Sequence, residues 1–225
     1  MTAYSTLFVD LDQTVYPATS GIWEDVTSRI TRYLEQHFGL STKEAMALRA
    51  HYFENYGTTL RGLQLETGVD PVSYMEFIHD VPVERKIVPD PELKTLLQSV
   101  QLPKYIFTNA SAEHAERILR QLGVADCFDD IIDIIRLGYA NKPDPEAYRL
   151  ALGIAGNPEP GTCVLIDDSI PNLITGMELG MKTVQIGLAQ DDTLSPDFQI
   201  ASIHNLFDVL PELKASHPNK AARSV

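Results

Sequence analysis

The chain has 225 residues, 44% of them hydrophobic and 22% charged, and its 31 acidic against 18 Lys and Arg residues set a formal charge of −13. That length and apolar content exclude an overall disordered chain and suit one large domain, or a core with a modest insertion. The acidity, with no stripe of Lys and Arg, argues against polymeric nucleic acid or an anionic membrane as partner, since both call for clustered cations that release counterions, and most of the charge reads as an aid to solubility.

In chain order, Ser5-Thr6-Leu7-Phe8-Val9-Asp10 is a short β-prone apolar run that predicts a fully buried strand ending in acids. From about Pro17 to Val88 the spacing turns helical. Ile22, Val26, Ile30, Tyr33 and Leu34 mark one apolar face. Ser41 with Glu44 forms a capping-box signature for a second helix, and Asp70-Pro71 is a cap plus first-turn proline for another. Gly39, Gly57, Gly62 and Gly68 punctuate this block.

Beyond it, strands are predicted at Lys104–Thr108, Ile131–Ile135, Thr162–Asp167 and Thr183–Ile186. Helices alternate with them at Ser111–Leu122 before Gly123, Pro145–Leu152 before Gly153, and Pro171–Leu179 before Gly180. Such alternation predicts an α/β fold, a doubly wound parallel sheet. Residues 1–16 and 89–215 are expected to build that core, 17–88 an inserted helical block, and 216–225 a frayed polar tail. The start of the chain lacks a basic segment and a long apolar run, and no stretch reaches the ~20 apolar residues that cross a bilayer. Cys127 and Cys163 have no metal-type spacing, so a cytoplasmic protein with reduced thiols is expected.

Acids collect at the carboxyl ends of the predicted strands: Asp10 and Asp12 after the first, Asp167 and Asp168 at the fourth, with Thr108 ending the second. In an open α/β sheet this edge is where ligands bind. Four converging acids repel one another unless a cation joins them, and Mg²⁺ suits a set of carboxylates and waters. Lys142, in Asn141-Lys142-Pro143-Asp144-Pro145, adds a second positive charge if its loop lies on the same edge.

Four segments, Phe8-Val9-Asp10-Leu11-Asp12-Gln13-Thr14, Phe107-Thr108-Asn109, Asn141-Lys142-Pro143 and Leu165-Ile166-Asp167-Asp168-Ser169, together resemble the four motifs of the haloacid dehalogenase (HAD) superfamily of phosphotransferases. The helical block resembles that superfamily's cap. Within it, Tyr56-Gly57-Thr58-Thr59-Leu60-Arg61-Gly62-Leu63, with His79-Asp80, is similar to the pyrimidine 5′-nucleotidase subgroup.

The resemblance implies that Asp10 is the nucleophile, and that Asp12 is general acid then base while lending its main-chain carbonyl to Mg²⁺. It implies that Thr108 and the amide of Asn109 hold phosphate oxygens, that Lys142 offsets charge, and that Asp168 ligates the metal with Asp167 behind it, the last two roles being open to exchange. Asp12 favours phosphoryl transfer over dehalogenation, since dehalogenases of the superfamily lack that acid. Gln13 and Asn172 depart from the commoner Gly or Asn and Asp; Asn172 is read as orienting a metal-bound water or as plain first-turn polarity. Tyr16, Tyr56, Thr58 and Arg61 are candidate substrate contacts, Tyr16 alternatively packing at a hinge. Trp23 reads as a stacking platform or helix core, and His79 as a contact or a structural histidine.

The expectation is therefore a Mg²⁺-dependent phosphatase of a small soluble phosphomonoester, favouring pyrimidine nucleoside 5′-monophosphates, as a monomer or homodimer. A sugar-phosphate or phosphoglycolate phosphatase, a phosphomutase and a non-catalytic nucleotide-binding module stand as alternatives.

Overall fold

A computed structural model describes residues 4–187 and 195–214; the expected tail, 216–225, lies outside them. The chain runs from strand β1 (Thr6–Val9) into helices α1 (Ile22–Phe38), α2 (Thr42–Tyr56), α3 (Thr59–Thr67), α4 (Pro71–Ile78), α5 (Val83–Lys86) and α6 (Pro91–Ser99). Then come β2 (Lys104–Phe107), α7 (Ala112–Leu122), β3 (Asp130–Ile132), α8 (Pro145–Ile154), β4 (Cys163–Asp167), α9 (Ile170–Glu178), β5 (Lys182–Ile186), β6 (Phe198–Ile200) and α10 (Leu206–Val209).

The six strands form one parallel sheet in the order β3-β2-β1-β4-β5-β6. Period-two alternation divides its side chains between two faces. Leu7, Val9, Val164 and Ile166 join a cluster with Leu93, Leu97 and Ile118 of α6 and α7. Phe8 and Leu165 join one with Ala147, Tyr148 and Leu173 of α8 and α9. Helices thus cover both faces, which is why β1 and β4 read as unbroken apolar runs. The order reverses at β1, whose neighbours are β2 and β4, so the ends of β2, β1 and β4 meet at the switch-point crevice.

Between β1 and α6 the described chain holds helices and no strand. Helix α1 buries Ile22, Val26, Ile30, Tyr33 and Leu34, and packs on α2 and α4. The capping box at Ser41 and Glu44 is present, and Asp70 caps α4 through the Ser73 amide. Lys86 ties the two ends of the helical run together, donating to the Gly21 carbonyl at 2.7 Å and pairing with Asp25 at 2.6 Å.

Several boundaries differ from those predicted. The expected strand Ile131–Ile135 stops at Ile132, because the Asp133 carboxylate accepts from the amides of Ala112 and Arg136 at 2.9 Å and turns the chain. Helix α8 runs through Gly153, and the chain leaves it at Ala155 and Gly156, the latter in the left-handed region at φ 89°. Strand β6 and helices α3, α5, α6 and α10 are additional elements. No helix among the described residues is long and apolar enough to cross a membrane. Both cysteines are free and buried.

Candidate active site

Parallel pairing delivers the site. The amide of Asp10 donates to the Ile166 carbonyl at 2.8 Å, continuing the β1–β4 ladder by one residue and placing Asp10 beside Asp167. Thr108 ends β2 in the same way, its amide donating to the Ile132 carbonyl at 3.0 Å. Lys142 reaches them from the loop before α8. Asn109 anchors that loop, accepting from the Lys142 amide at 2.8 Å and donating to its carbonyl at 2.9 Å.

The Lys142 ammonium is 1% exposed and donates to Asp10 Oδ1 at 2.8 Å and Asp167 Oδ2 at 2.6 Å. Burial disfavours its charge, but the two carboxylates prevail and raise its pKa. Asp167 is saturated by further donors: the Asn172 amide at 2.9 and 3.1 Å and the Ser169 main chain at 2.9 Å. Asn172 therefore orients Asp167 directly. Asp168 is only partly buried and accepts from the Gln13 side chain at 3.1 Å.

Carboxylate oxygens of Asp10, Asp167 and Asp168 lie within 4.8 Å of one another. Three carboxylates face one ammonium, and the surplus shows. Burial, opposed by Lys142 and reinforced by Asp167 and Asp168, pushes Asp10 well above the carboxylate range. Burial and then Asp167 raise Asp168 to about 7. A small hard cation relieves that surplus, so the donor set fits Mg²⁺.

Asp12 has a different setting. Its Oδ1 accepts from the Tyr16 hydroxyl at 2.6 Å and lies 3.5 Å from His114 Nε2. Burial works against its charge, yet the contacts from His114 and Tyr16 hold its pKa below the ordinary value.

A cavity of about 1290 Å³ opens above these groups. Asp10, Asp12, Thr108, Asn109, Lys142 and Asp168 line its floor, and residues of α1 to α4 form its walls, including Trp23, Arg49, Arg61 and Tyr74. The Thr108 hydroxyl accepts from the Ala110 amide at 3.0 Å, which leaves its proton to donate.

The candidate substrate contacts divide. Arg61 lines the cavity as expected. Tyr16 does not: it is 2% exposed and its hydroxyl is spent on Asp12. Tyr56 and Thr58 border the cavity, the Tyr56 hydroxyl engaged elsewhere and the Thr58 hydroxyl left with its proton to donate. The Tyr56 hydroxyl donates to Glu66 at 3.0 Å, and Thr58 caps α3 by accepting from the Arg61 amide at 3.1 Å.

His79 and His114 form a buried stack, with ring centroids 4.2 Å apart and planes 11° apart. His79 bonds Ser111 Oγ at 2.9 Å, and burial followed by His114 lowers its pKa to about 3, so it is neutral. Sequence reasoning passed over His114, and it named Gln13 and Asn141 without giving either a contact in the site. The signal for His114 was its place in the buried stripe of α7 with Ala115, Ile118, Leu119 and Leu122, where a histidine requires a polar neighbour.

A doubly wound parallel sheet with carboxylates gathered at its switch point defines a class of α/β protein rather than a particular activity. This chain belongs to the haloacid dehalogenase-like hydrolases, whose family model matches residues 4–180. It is 29% identical over 203 residues to phosphate metabolism protein 8 of Saccharomyces cerevisiae, covering 84% of this chain and 63% of that protein. It is 30% identical over 153 residues to a phosphoglycolate phosphatase of Neisseria meningitidis, covering 64% of each. The chain thus spans just under two thirds of these relatives' lengths. The magnesium-bound HAD-hydrolase YfnB of Bacillus subtilis shares the fold, with a TM-score of 0.61 at 17% identity over 92% of this chain and 99% of that one.

Proposed function

We propose that the chain is a Mg²⁺-dependent phosphatase that hydrolyses a small phosphomonoester through a phosphorylated Asp10. The observation that carries this reading is the buried Lys142 ammonium fixed between Asp10 and Asp167 at the floor of a large cavity. Asp10, Asp168 and the Asp12 carbonyl would hold Mg²⁺, with Asp167 behind them, and the ion would supply charge to neutralise phosphoryl oxygens.

Asp10 attacks phosphorus in line while Lys142 limits the repulsion between carboxylate and phosphate. Thr108 and the Asn109 amide receive non-bridging oxygens. Asp12 protonates the leaving oxygen, then takes a proton from the water that cleaves the acyl phosphate. Helices α1 to α4, as a cap of residues 17–88 on a core of 1–16 and 89–215, shield these steps from bulk water.

The favoured substrate is a pyrimidine nucleoside 5′-monophosphate. At about 1290 Å³ the cavity exceeds the ~300–1,000 Å³ typical of small-molecule sites and so has room for a nucleotide, its walls offer Trp23 to a base and Arg61 to a polar group, and the phosphate end is already defined. Free buried thiols suit a cytoplasmic setting.

A panel of UMP, CMP, AMP, GMP, phosphoglycolate and sugar phosphates, assayed with Mg²⁺ for phosphate release, tests both levels. UMP and CMP are expected to lead in kcat/KM, and Asp10→Asn to abolish turnover of all. Flat values defeat the pyrimidine reading, residual Asp10→Asn activity defeats the nucleophile, isomerisation without phosphate release indicates a mutase, and binding without turnover a regulatory module.

A further inference from the structure

Tyr16 and His114 approach the same oxygen of Asp12, one from the turn after β1 and the other from α7. Each is buried, and neither lines the cavity, whereas Asp12 does. The Tyr16 hydroxyl donates to Oδ1 at 2.6 Å, a short hydrogen bond that occupies this oxygen and leaves Oδ2 to carry the proton. Neither nitrogen of the His114 ring has a hydrogen-bond partner, although both are shut off from solvent. Nε2 lies 3.5 Å from Asp12 Oδ1. An unpartnered buried donor or acceptor is costly, so a packed core holds one only where its surroundings fix it. His79 and Ser111 do so here: His79 stacks face to face on His114 and is pinned by its bond to Ser111 Oγ.

We propose that Tyr16 and His114, backed by His79 and Ser111, are positioning residues that fix Asp12 Oδ1 toward the core and present Oδ2 to the leaving group. The inference rests on the reading of Asp12 as general acid and base. In the first half-reaction the Asp10–phosphorus bond forms, the ester oxygen–phosphorus bond breaks, and the proton on Asp12 Oδ2 passes to the departing oxygen. A carboxyl free to rotate spends only part of its time in line with that oxygen, so restraint at Oδ1 raises the rate without any contact between Tyr16 or His114 and substrate.

The consequence is selective. A leaving group that departs readily as an anion needs little protonation, so loss of the restraint must slow basic leaving groups more. Phenyl phosphate and p-nitrophenyl phosphate present the same ring with leaving groups of very different basicity, and kcat/KM reports the step in which that group departs. For Tyr16→Phe, kcat/KM with phenyl phosphate is expected to fall about tenfold and with p-nitrophenyl phosphate less than about twofold, a modest share of the 10²–10⁴-fold worth of general acid catalysis. His114→Phe keeps the ring stack and removes both nitrogens, and should give the same pattern.

An equal fall for both substrates means a merely structural role and overturns the proposal, as does no fall. Asp12→Ala separates the two levels. If it slows both substrates equally, the acid role fails; if it discriminates while Tyr16→Phe does not, the positioning role fails. A crystal structure of Tyr16→Phe decides the geometry without turnover: the Asp12 carboxyl should rotate or split between orientations, and an unmoved carboxyl overturns the proposal.

Discussion

Replacing Lys142 by Met removes the single ammonium among three carboxylates and keeps much of the side chain's volume. At 2.8 and 2.6 Å, and an effective dielectric of about 20, each contact of Lys142 contributes about 6 kcal/mol of gross attraction. Desolvating the three ions offsets most of that, so the intact cluster adds little net stability. The variant, however, strands Asp10 and Asp167 in a site that water barely reaches, and breaking a buried pair from one side costs about 3–5 kcal/mol. For a chain of this size 1 kcal/mol moves Tm by about 2–4 °C, so a fall on the order of 10 °C is expected near neutral pH without divalent ions.

Mg²⁺ provides the control. It stabilises by binding the folded state, and should raise Tm more in Lys142→Met than in the parent because more uncompensated charge awaits it. Thermal unfolding followed by circular dichroism, with EDTA and with Mg²⁺, measures both effects. A Tm within about 2 °C of the parent, or equal gains from Mg²⁺, would refute the electrostatic account. Phosphatase activity should be lost in either case.

A Cβ at Gly57, whose φ is +77°, would meet Asn141 Nδ2 at 2.7 Å and Pro143 Cδ at 2.9 Å. Gly57→Ala should therefore displace the end of α2 from the Lys142 loop and lower kcat/KM severalfold while costing about 1–2 kcal/mol of stability; unchanged kinetics would show that the contact is dispensable. Asp197 accepts from Lys182 and from the amide and hydroxyl of Thr183, and although its burial opposes ionisation these donors hold its pKa down. A depressed folded pKa gives stability that is fully present above the unfolded value of about 4 and is lost as pH falls through the folded one. Asp197→Asn should thus cost about 1 kcal/mol at pH 7 and progressively less below pH 4 in urea titrations; a gap constant down to pH 3 would contradict this.

The strand-end residues were legible because a parallel sheet leaves them no choice: once β1, β2 and β4 are read as adjacent buried runs, Asp10, Thr108 and Asp167 must share one edge. Lys142 was readable only by motif, since the loop that carries it has no periodicity. Tyr16 shows the limit. Four residues beyond Asp12 in an irregular turn, its ring can point to the cavity or to the core, and only the packing of α7 decides it. Thr58 has a second role that follows from a local rule, a threonine ahead of a helix accepting from the third amide on. Gln13 sits at φ 61°, where Gly or Asn is at ease, and its amide on Asp168 is a contact that no spacing announces. Strand β6 escaped because three residues on a sheet edge carry too short a pattern.

Asn141 holds the loop and the helices with one amide group: Nδ2 donates to the Tyr56 carbonyl at the end of α2 at 3.1 Å and to the Lys142 carbonyl at 3.0 Å. The same nitrogen therefore ties α2 to the peptide that carries the site's ammonium. One shared hydrogen bond is worth about 1 kcal/mol, a factor of about five in population. That is the scale on which this one nitrogen holds the end of α2 against the peptide that carries the site's ammonium.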